Sequence, residues 1–216
     1  RGVEVLHGRA RFTGPRSLAI EGSGVSAIKF RECIIATGST INELPPEYEA
    51  PVWSSAEALT LPNVPERLLV VGGGYIGLEL GLVYAGLGSS VTVAEYAPRL
   101  LLGADPDLVS VMAREAVKRL DSILVDSKVV GLRRSSEVFK VDIEHDGETK
   151  THELDQVLVA TGRKPNTGSL GLGEAGVEVD ARGTIPTNEE CRTSVPHIFA
   201  IGDVAPGPML AHKASR

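Results

Sequence analysis

The 216-residue chain is 42% hydrophobic and 23% charged, carries a formal charge of −6 and holds two cysteines. That balance excludes a disordered or fibrous chain, and no apolar run approaches the roughly 18 residues a membrane-spanning helix needs. It also excludes a nucleic-acid binder, because Arg133 and Arg134 are too few to make a basic face that would displace counterions from phosphates.

Short runs with β character stand at residues 3–6, 10–12, 17–20, 25–29 and 32–36, separated by Thr13-Gly14-Pro15 and Glu21-Gly22-Ser23-Gly24. They predict a small meander closing on a central strand that ends at Thr37-Gly38-Ser39. Cys33 is expected on that strand as a small apolar side chain, with Phe30, Ile34 and Ile35 as its core neighbours. Cys33 and Cys191 stand in no metal-ligand or CxxC spacing, which fits a reducing compartment, and no signal peptide is visible. A proline-rich connector from Leu44 through Pro51 cannot form an internal strand, and a short helix is expected at Ser55–Leu59.

The most informative stretch follows. An apolar strand at residues 68–71 delivers the chain to Gly72, Gly74 and Gly77, a glycine fingerprint that gives a tight turn, close approach of a pyrophosphate and close packing of the next helix. The opening of that helix offers unpaired N–H groups to phosphate oxygens. Glu95 ends the second strand at close to the spacing of about 20 residues at which an acid accepts from the adenosine ribose. A 2′-phosphate there would meet a like charge, so the pattern reads as NAD rather than NADP. Gly81, one turn beyond Gly77, is expected to let the helix lie close to the sheet.

Beyond it, Asp105-Pro106-Asp107 predicts a capped helix whose apolar face is Leu108, Val111, Met112, Ala116 and Leu120. Residues 129–132 and 138–143 should pair as antiparallel strands. Residues 156–159 should form a parallel core strand ending at Ala160-Thr161-Gly162-Arg163, an echo of Ala36-Thr37-Gly38. A turn at Ala181-Arg182-Gly183, a strand at 198–201 ending in Gly202-Asp203, and a helix start near Met209 complete the chain.

Five stretches together carry a family resemblance: residues 34–39 (IIATGS), 71–81 (VGGGYIGLELG), 159–167 (VATGRKPNT), 198–204 (IFAIGDV) and 209–214 (MLAHKA). The sequence resembles the flavoprotein disulfide reductases, and the last stretch resembles their dihydrolipoyl dehydrogenase branch. The resemblance implies an α/β, Rossmann-like FAD/NAD(P)-binding fold with an NAD domain (51–165) inserted in a partial FAD domain (1–50 and 166–216). For FAD it implies contacts from Ala10 to adenine, from Thr37, Gly38 and Ser39, from Asp203 to the ribityl chain, and from the backbone of Met209, Leu210, Ala211 and His212 to the flavin's pyrimidine edge. For NAD it implies Gly72, Gly73, Gly74, Tyr75, Ile76, Gly77, Leu78, Glu79, Glu95, Val129 and Gly162. Tyr75 matches a gate over the flavin. Glu79 matches an acid near the nicotinamide whose usual lysine partner is not in this chain.

The family's own FAD glycine motif, its Cys-x4-Cys pair and its His-Glu couple are also missing from the sequence, so no catalytic residue and no metal ligand is assigned. The chain is expected to be the middle of such an enzyme and inactive by itself. The whole enzyme is expected to be a cytoplasmic or mitochondrial-matrix homodimer that oxidises a dihydrolipoyl group on the acyltransferase of a 2-oxoacid dehydrogenase complex, with no nucleic-acid or membrane partner. A sibling disulfide reductase, an NADH oxidase or an inactive cofactor-binding remnant are the alternatives.

Overall fold

The computed structural model describes residues 2–42 and 51–215. Its first strands are β1 (Arg9–Gly14), β2 (Ser17–Glu21), β3 (Ala27–Lys29), β4 (Cys33–Ile35), β5 (Ser39–Ile41), β6 (Trp53–Ser54), β7 (Arg67–Val71) and β8 (Ser90–Ala94). They are followed by β9 (Ser122–Leu124), β10 (Lys128–Ser135), β11 (Val138–His145), β12 (Glu148–Leu154), β13 (Gln156–Val159), β14 (Arg163–Pro165) and β15 (Ile198–Ala200). The helices are α1 (Ser55–Leu59), α2 (Tyr75–Gly86), α3 (Pro106–Val117), α4 (Leu172–Ala175) and α5 (Ala211–Ala214). The chain divides into two compact units, Ile41–Gly162 and Arg1–Thr40 with Arg163–Arg216. The proline-rich connector lies outside the described residues except for Pro51.

The unit Ile41–Gly162 is built on a parallel sheet of order β6-β13-β7-β8-β9. β7 is apolar at four successive positions because both of its faces are covered, and alternation divides them. Leu68 and Val70 pack with Leu78, Tyr84, Val109 and Ala116 on the helical side, whereas Leu69 joins Phe139, Val141 and Ile143 from an antiparallel layer of order β10-β11-β12. The result is helices, parallel sheet and antiparallel sheet in three layers. Two polar ties fix the edges. Tyr84 Oη donates to the Ala58 carbonyl at 2.8 Å, joining α2 to α1. Asp155 accepts from Arg67 Nη2 at 2.7 Å and from the Arg67 backbone at 2.8 Å. The Arg67 hydrogen bond holds the Asp155 carboxyl below the usual carboxylate range. A folded-state pKa depressed in this way contributes stability at neutral pH that is lost as acid protonates the group.

Three expectations change here. The α3 cap is as expected, with Asp105 accepting from the Asp107 N–H at 3.1 Å and Pro106 at the first turn. Its buried face, however, is Val109 and Ala116 with Met112 and Ala113 partly covered, while Leu108 is 71% exposed and Val111 is also exposed. Positions 109, 112, 113, 116 and 120 keep a consistent helical phase, and 108 and 111 fall outside it. β12 was not anticipated, because its sequence ETKTHEL is polar. The signal for it was Asp146-Gly147, both at positive φ (52° and 76°), a hairpin turn that folds the strand back on β11. The glycine at position 81 has ordinary contacts, since an added Cβ would stand 3.5 Å from Val70, so the close helix packing is imposed elsewhere.

The other unit pairs β1-β2-β3 antiparallel and β4 with β15 in parallel. The meander therefore forms, but its expected closing strand β4 belongs with β15, where the chain returns. Phe12, Ile35, Leu172, Ile185, Ile198, Ala200 and Val204 make the core. Residues 3–6 are not a strand; Val3 is 78% exposed, and no strand pairs with it among the described residues. Ile34 is 63% exposed, because alternation along β4 turns Ile35 to the core and Ile34 away from it. Cys33 is half-buried and burial raises its pKa, while Cys191 is exposed; both are free thiols.

Candidate functional site

In the unit Ile41–Gly162, the carboxyl ends of β7, β8 and β13 open on a crevice of about 590 Å³ lined by Gly72, Gly74, Glu95, Tyr96, Val129 and Gly162 among others. Its geometry starts from the turn after β7. Gly72 sits at φ 109°, and a Cβ there would lie 2.5 Å from the Ala160 carbonyl oxygen. A Cβ on Gly77 would fall 2.0 Å from the Gly72 carbonyl oxygen, so this glycine is what brings α2 against the turn. Gly74 differs from both. Its φ is −79°, open to any residue, and an added Cβ would meet nothing within 4 Å. Among the described residues no contact asks for glycine there; the space its missing side chain leaves is part of the crevice.

The α2 start that follows has Gly74 as its cap, without a side-chain hydrogen bond. Among the described residues nothing accepts from the N–H groups of Gly74, Tyr75 or Ile76. These orphan donors, at the positive end of the helix dipole, suit an anion. Glu95 stands opposite. Its Oε2 accepts from the Gly73 N–H at 2.5 Å and its Oε1 accepts from the Ala97 N–H at 2.7 Å. A carboxylate has about four acceptor positions, so two remain for hydroxyl groups. Leu78 is buried under the turn, Tyr75 is 39% exposed at its rim, and Glu79 is exposed one turn along α2. Val129 lies at a bulge in β10, where the register against β11 shifts.

In the other unit the residues singled out at the two strand ends come together. Ser39 Oγ donates to Asp203 Oδ2 at 2.6 Å, and Arg163 Nε donates to Ser39 Oγ at 2.6 Å. Asp203 Oδ1 takes no donor among the described residues and is free to accept. Thr37 and Gly38 are held by Asn166, whose side chain donates to the Thr37 carbonyl at 2.9 Å and whose N–H donates to the Gly38 carbonyl at 2.9 Å. Lys213 Nζ donates to the Gly202 carbonyl (2.9 Å) and the Ala205 carbonyl (3.1 Å), pinning the turn that carries Asp203. Arg163, Asn166 and Lys213 were given no role from the sequence, although each lies inside a motif; charge or amide type beside a glycine was the available signal. Ala10 is exposed on β1, Met209 and Leu210 are half-buried, and Ala211 and His212 are exposed at the start of α5. Among the described residues no cluster of His, Cys, Asp and Glu could hold a metal ion, and no helix is long and apolar enough to cross a membrane.

The sequence matches the pyridine nucleotide-disulphide oxidoreductase family over residues 1–216. It is 41% identical over 215 residues to a dihydrolipoyl dehydrogenase of Geobacillus stearothermophilus, covering 99% of this chain and 46% of that protein. A mitochondrial dihydrolipoyl dehydrogenase of Arabidopsis thaliana is 40% identical, with 98% and 43% covered. Among solved structures, the HOCl-induced flavoprotein disulfide reductase RclA of Escherichia coli superposes with a TM-score of 0.81 at 30% identity, covering 96% of this chain and 47% of that one. The chain thus spans about half the length of the relatives it matches.

Proposed function

Because this chain belongs to the pyridine nucleotide-disulphide oxidoreductase family, we propose that it is the cofactor-binding middle of a dihydrolipoyl dehydrogenase. Identity near 40% to dihydrolipoyl dehydrogenases, against 30% to the RclA reductase, favours that branch over a sibling reductase. The observation that carries the cofactor reading is Gly74, which the fold leaves free to be any residue and which opens the crevice to a close-approaching group.

Each residue then has a task. The amides of Gly74, Tyr75 and Ile76 hold the pyrophosphate of NAD, Gly72 and Gly77 shape the turn, and Glu95 accepts from the adenosine ribose. Val129 and Gly162 complete the walls of the crevice, with Gly73 and Leu78 buried behind the turn. Tyr75 would be the gate toward the flavin, and Glu79 the acid near the nicotinamide. Asp203 accepts from a ribityl hydroxyl, held in place by Ser39 and Arg163, while Thr37, Gly38 and Ala10 give FAD its backbone approach. The amides of Met209, Leu210, Ala211 and His212 face the pyrimidine edge as donors to developing negative charge. When bound, FAD and NAD would supply the hydride chemistry, and the chain's share would be to hold and orient each of them.

The NAD domain would occupy residues 51–165 within a FAD domain formed by 1–50 and 166–216. The whole enzyme would act as a homodimer in the cytoplasm or the mitochondrial matrix. It would take electrons from the dihydrolipoyl group of a 2-oxoacid dehydrogenase acyltransferase. Neither Cys33 nor Cys191 stands in a pair that could exchange with a dithiol, so the 216-residue chain should bind NAD yet form no NADH from dihydrolipoamide. A spectrophotometric assay at 340 nm checks this; dihydrolipoamide-dependent NADH formation by this chain would contradict it.

A further inference from the structure

The glycine crevice is braced by a residue that no motif singles out. The end of β8 is laced to the segment after β9 by three backbone bonds: Glu95 N–H to the Leu124 carbonyl (2.8 Å), Ser127 N–H to the Glu95 carbonyl (2.9 Å) and Asp126 N–H to the Ala97 carbonyl (3.1 Å). Asp126 holds φ at 47°, a left-handed conformation that a non-glycine residue keeps when its surroundings fix it. A small side-chain cluster does so. Ser127, only 3% exposed, donates its Oγ–H to the Val125 carbonyl at 2.9 Å. His145 Nδ1 lies 2.8 Å from Ser127 Oγ and 3.1 Å from the Val125 carbonyl oxygen.

The protonation of that nitrogen follows from its neighbours. A carbonyl only accepts, and the serine has already committed its single proton, so both oxygens turn lone pairs toward Nδ1. Nδ1 therefore carries hydrogen and donates to them, an assignment made from the network. Nε2, at the other edge of the ring, lies 3.4 Å from Asp146 Oδ2. His145 closes β11, so the donor comes from the antiparallel layer, while Ser127, which it grips, lines the crevice.

We infer that His145 is a positioning residue for the crevice: its Nδ1–H locks the segment Val125, Asp126 and Ser127, and through it the Glu95 carboxylate that holds the Gly73 N–H. The consequence for cofactor affinity rests on the NAD reading above; the link from His145 to Glu95 and Gly73 does not.

Two variants separate donor from bulk. His145→Leu keeps much of the volume and loses the donor, whereas His145→Asn loses volume and keeps an N–H at nearly the same place. In cofactor-free protein, hydrogen–deuterium exchange at the amides of Gly73, Glu95 and Ser127 should quicken about tenfold in His145→Leu and stay within about threefold of wild type in His145→Asn. Calorimetric titration with NAD should follow the same order, with about tenfold weaker binding for His145→Leu alone. Unchanged exchange in His145→Leu overturns the inference, as does a His145→Asn variant as loose as His145→Leu. If the exchange pattern holds but wild type takes up no NAD, the positioning link stands and the cofactor reading of the crevice falls.

Discussion

Replacing Gly74 with aspartate should abolish measurable NAD binding while leaving the melting temperature unchanged or slightly higher. Position 74 caps α2 with an ordinary φ, and aspartate is among the best capping residues, so the helix itself gains a partner for its first amides. The new carboxylate would fill the open space where a Cβ meets no atom, and it would set a negative charge against the pyrophosphate on the same N–H groups. A loss of at least about 100-fold in affinity, roughly 2.7 kcal/mol, is expected. Gly77→Ala should behave in the opposite way. Its Cβ would stand 2.0 Å from the Gly72 carbonyl oxygen, which is backbone and cannot step aside, so folding itself should lose roughly 3 kcal/mol or more. Thermal melts and NAD titrations of the two variants side by side separate a glycine kept for a ligand from one kept for the fold. Full NAD affinity in Gly74→Asp would remove the main support for the cofactor site.

Glu95→Arg should turn the preference from NAD to NADP. The carboxylate has two acceptor positions left after holding Gly73 and Ala97, enough to accept from ribose hydroxyls, and it would repel a 2′-phosphate. A guanidinium in its place would attract that phosphate and leave the hydroxyls without an acceptor. The ratio of the two dissociation constants should move by about 100-fold or more toward NADP. The same change leaves the Gly73 and Ala97 N–H groups without their acceptor, so a loss of about 1–3 kcal/mol in stability is expected alongside. Titrations with both nucleotides check this. An unmoved ratio in a folded variant would show that Glu95 only braces the turn.

The parallel sheet and its glycine turn were legible because each is written locally. The apolar run of β7 needs cover on both faces, and Gly77 is imposed by the nearby Gly72 carbonyl, whereas Gly72, legible by its place in the glycine spacing, is imposed by Ala160 at the end of the neighbouring strand. Features fixed by distant partners were not legible. β4 read as the close of the meander, yet its partner β15 lies more than 150 residues away. The outward turn of Leu108 and Val111 depends on where α3 meets the sheet, which composition does not encode. In the site, Ser39 and Asp203 could each be named from their motifs, but their hydrogen bond to one another, and Arg163 and Asn166 as the groups that fix the strand end, depend on a return of the chain across more than 120 residues. His145 carries no motif at all, since its hold on Ser127 exists only once β11 has packed.

The most direct test is a crystal structure of this chain grown with NAD. The pyrophosphate should lie within hydrogen-bond distance of the amides of Gly74, Tyr75 and Ile76, with the adenosine ribose on the Glu95 carboxylate. Density for the dinucleotide elsewhere on the protein, with the turn after β7 vacant, would contradict it.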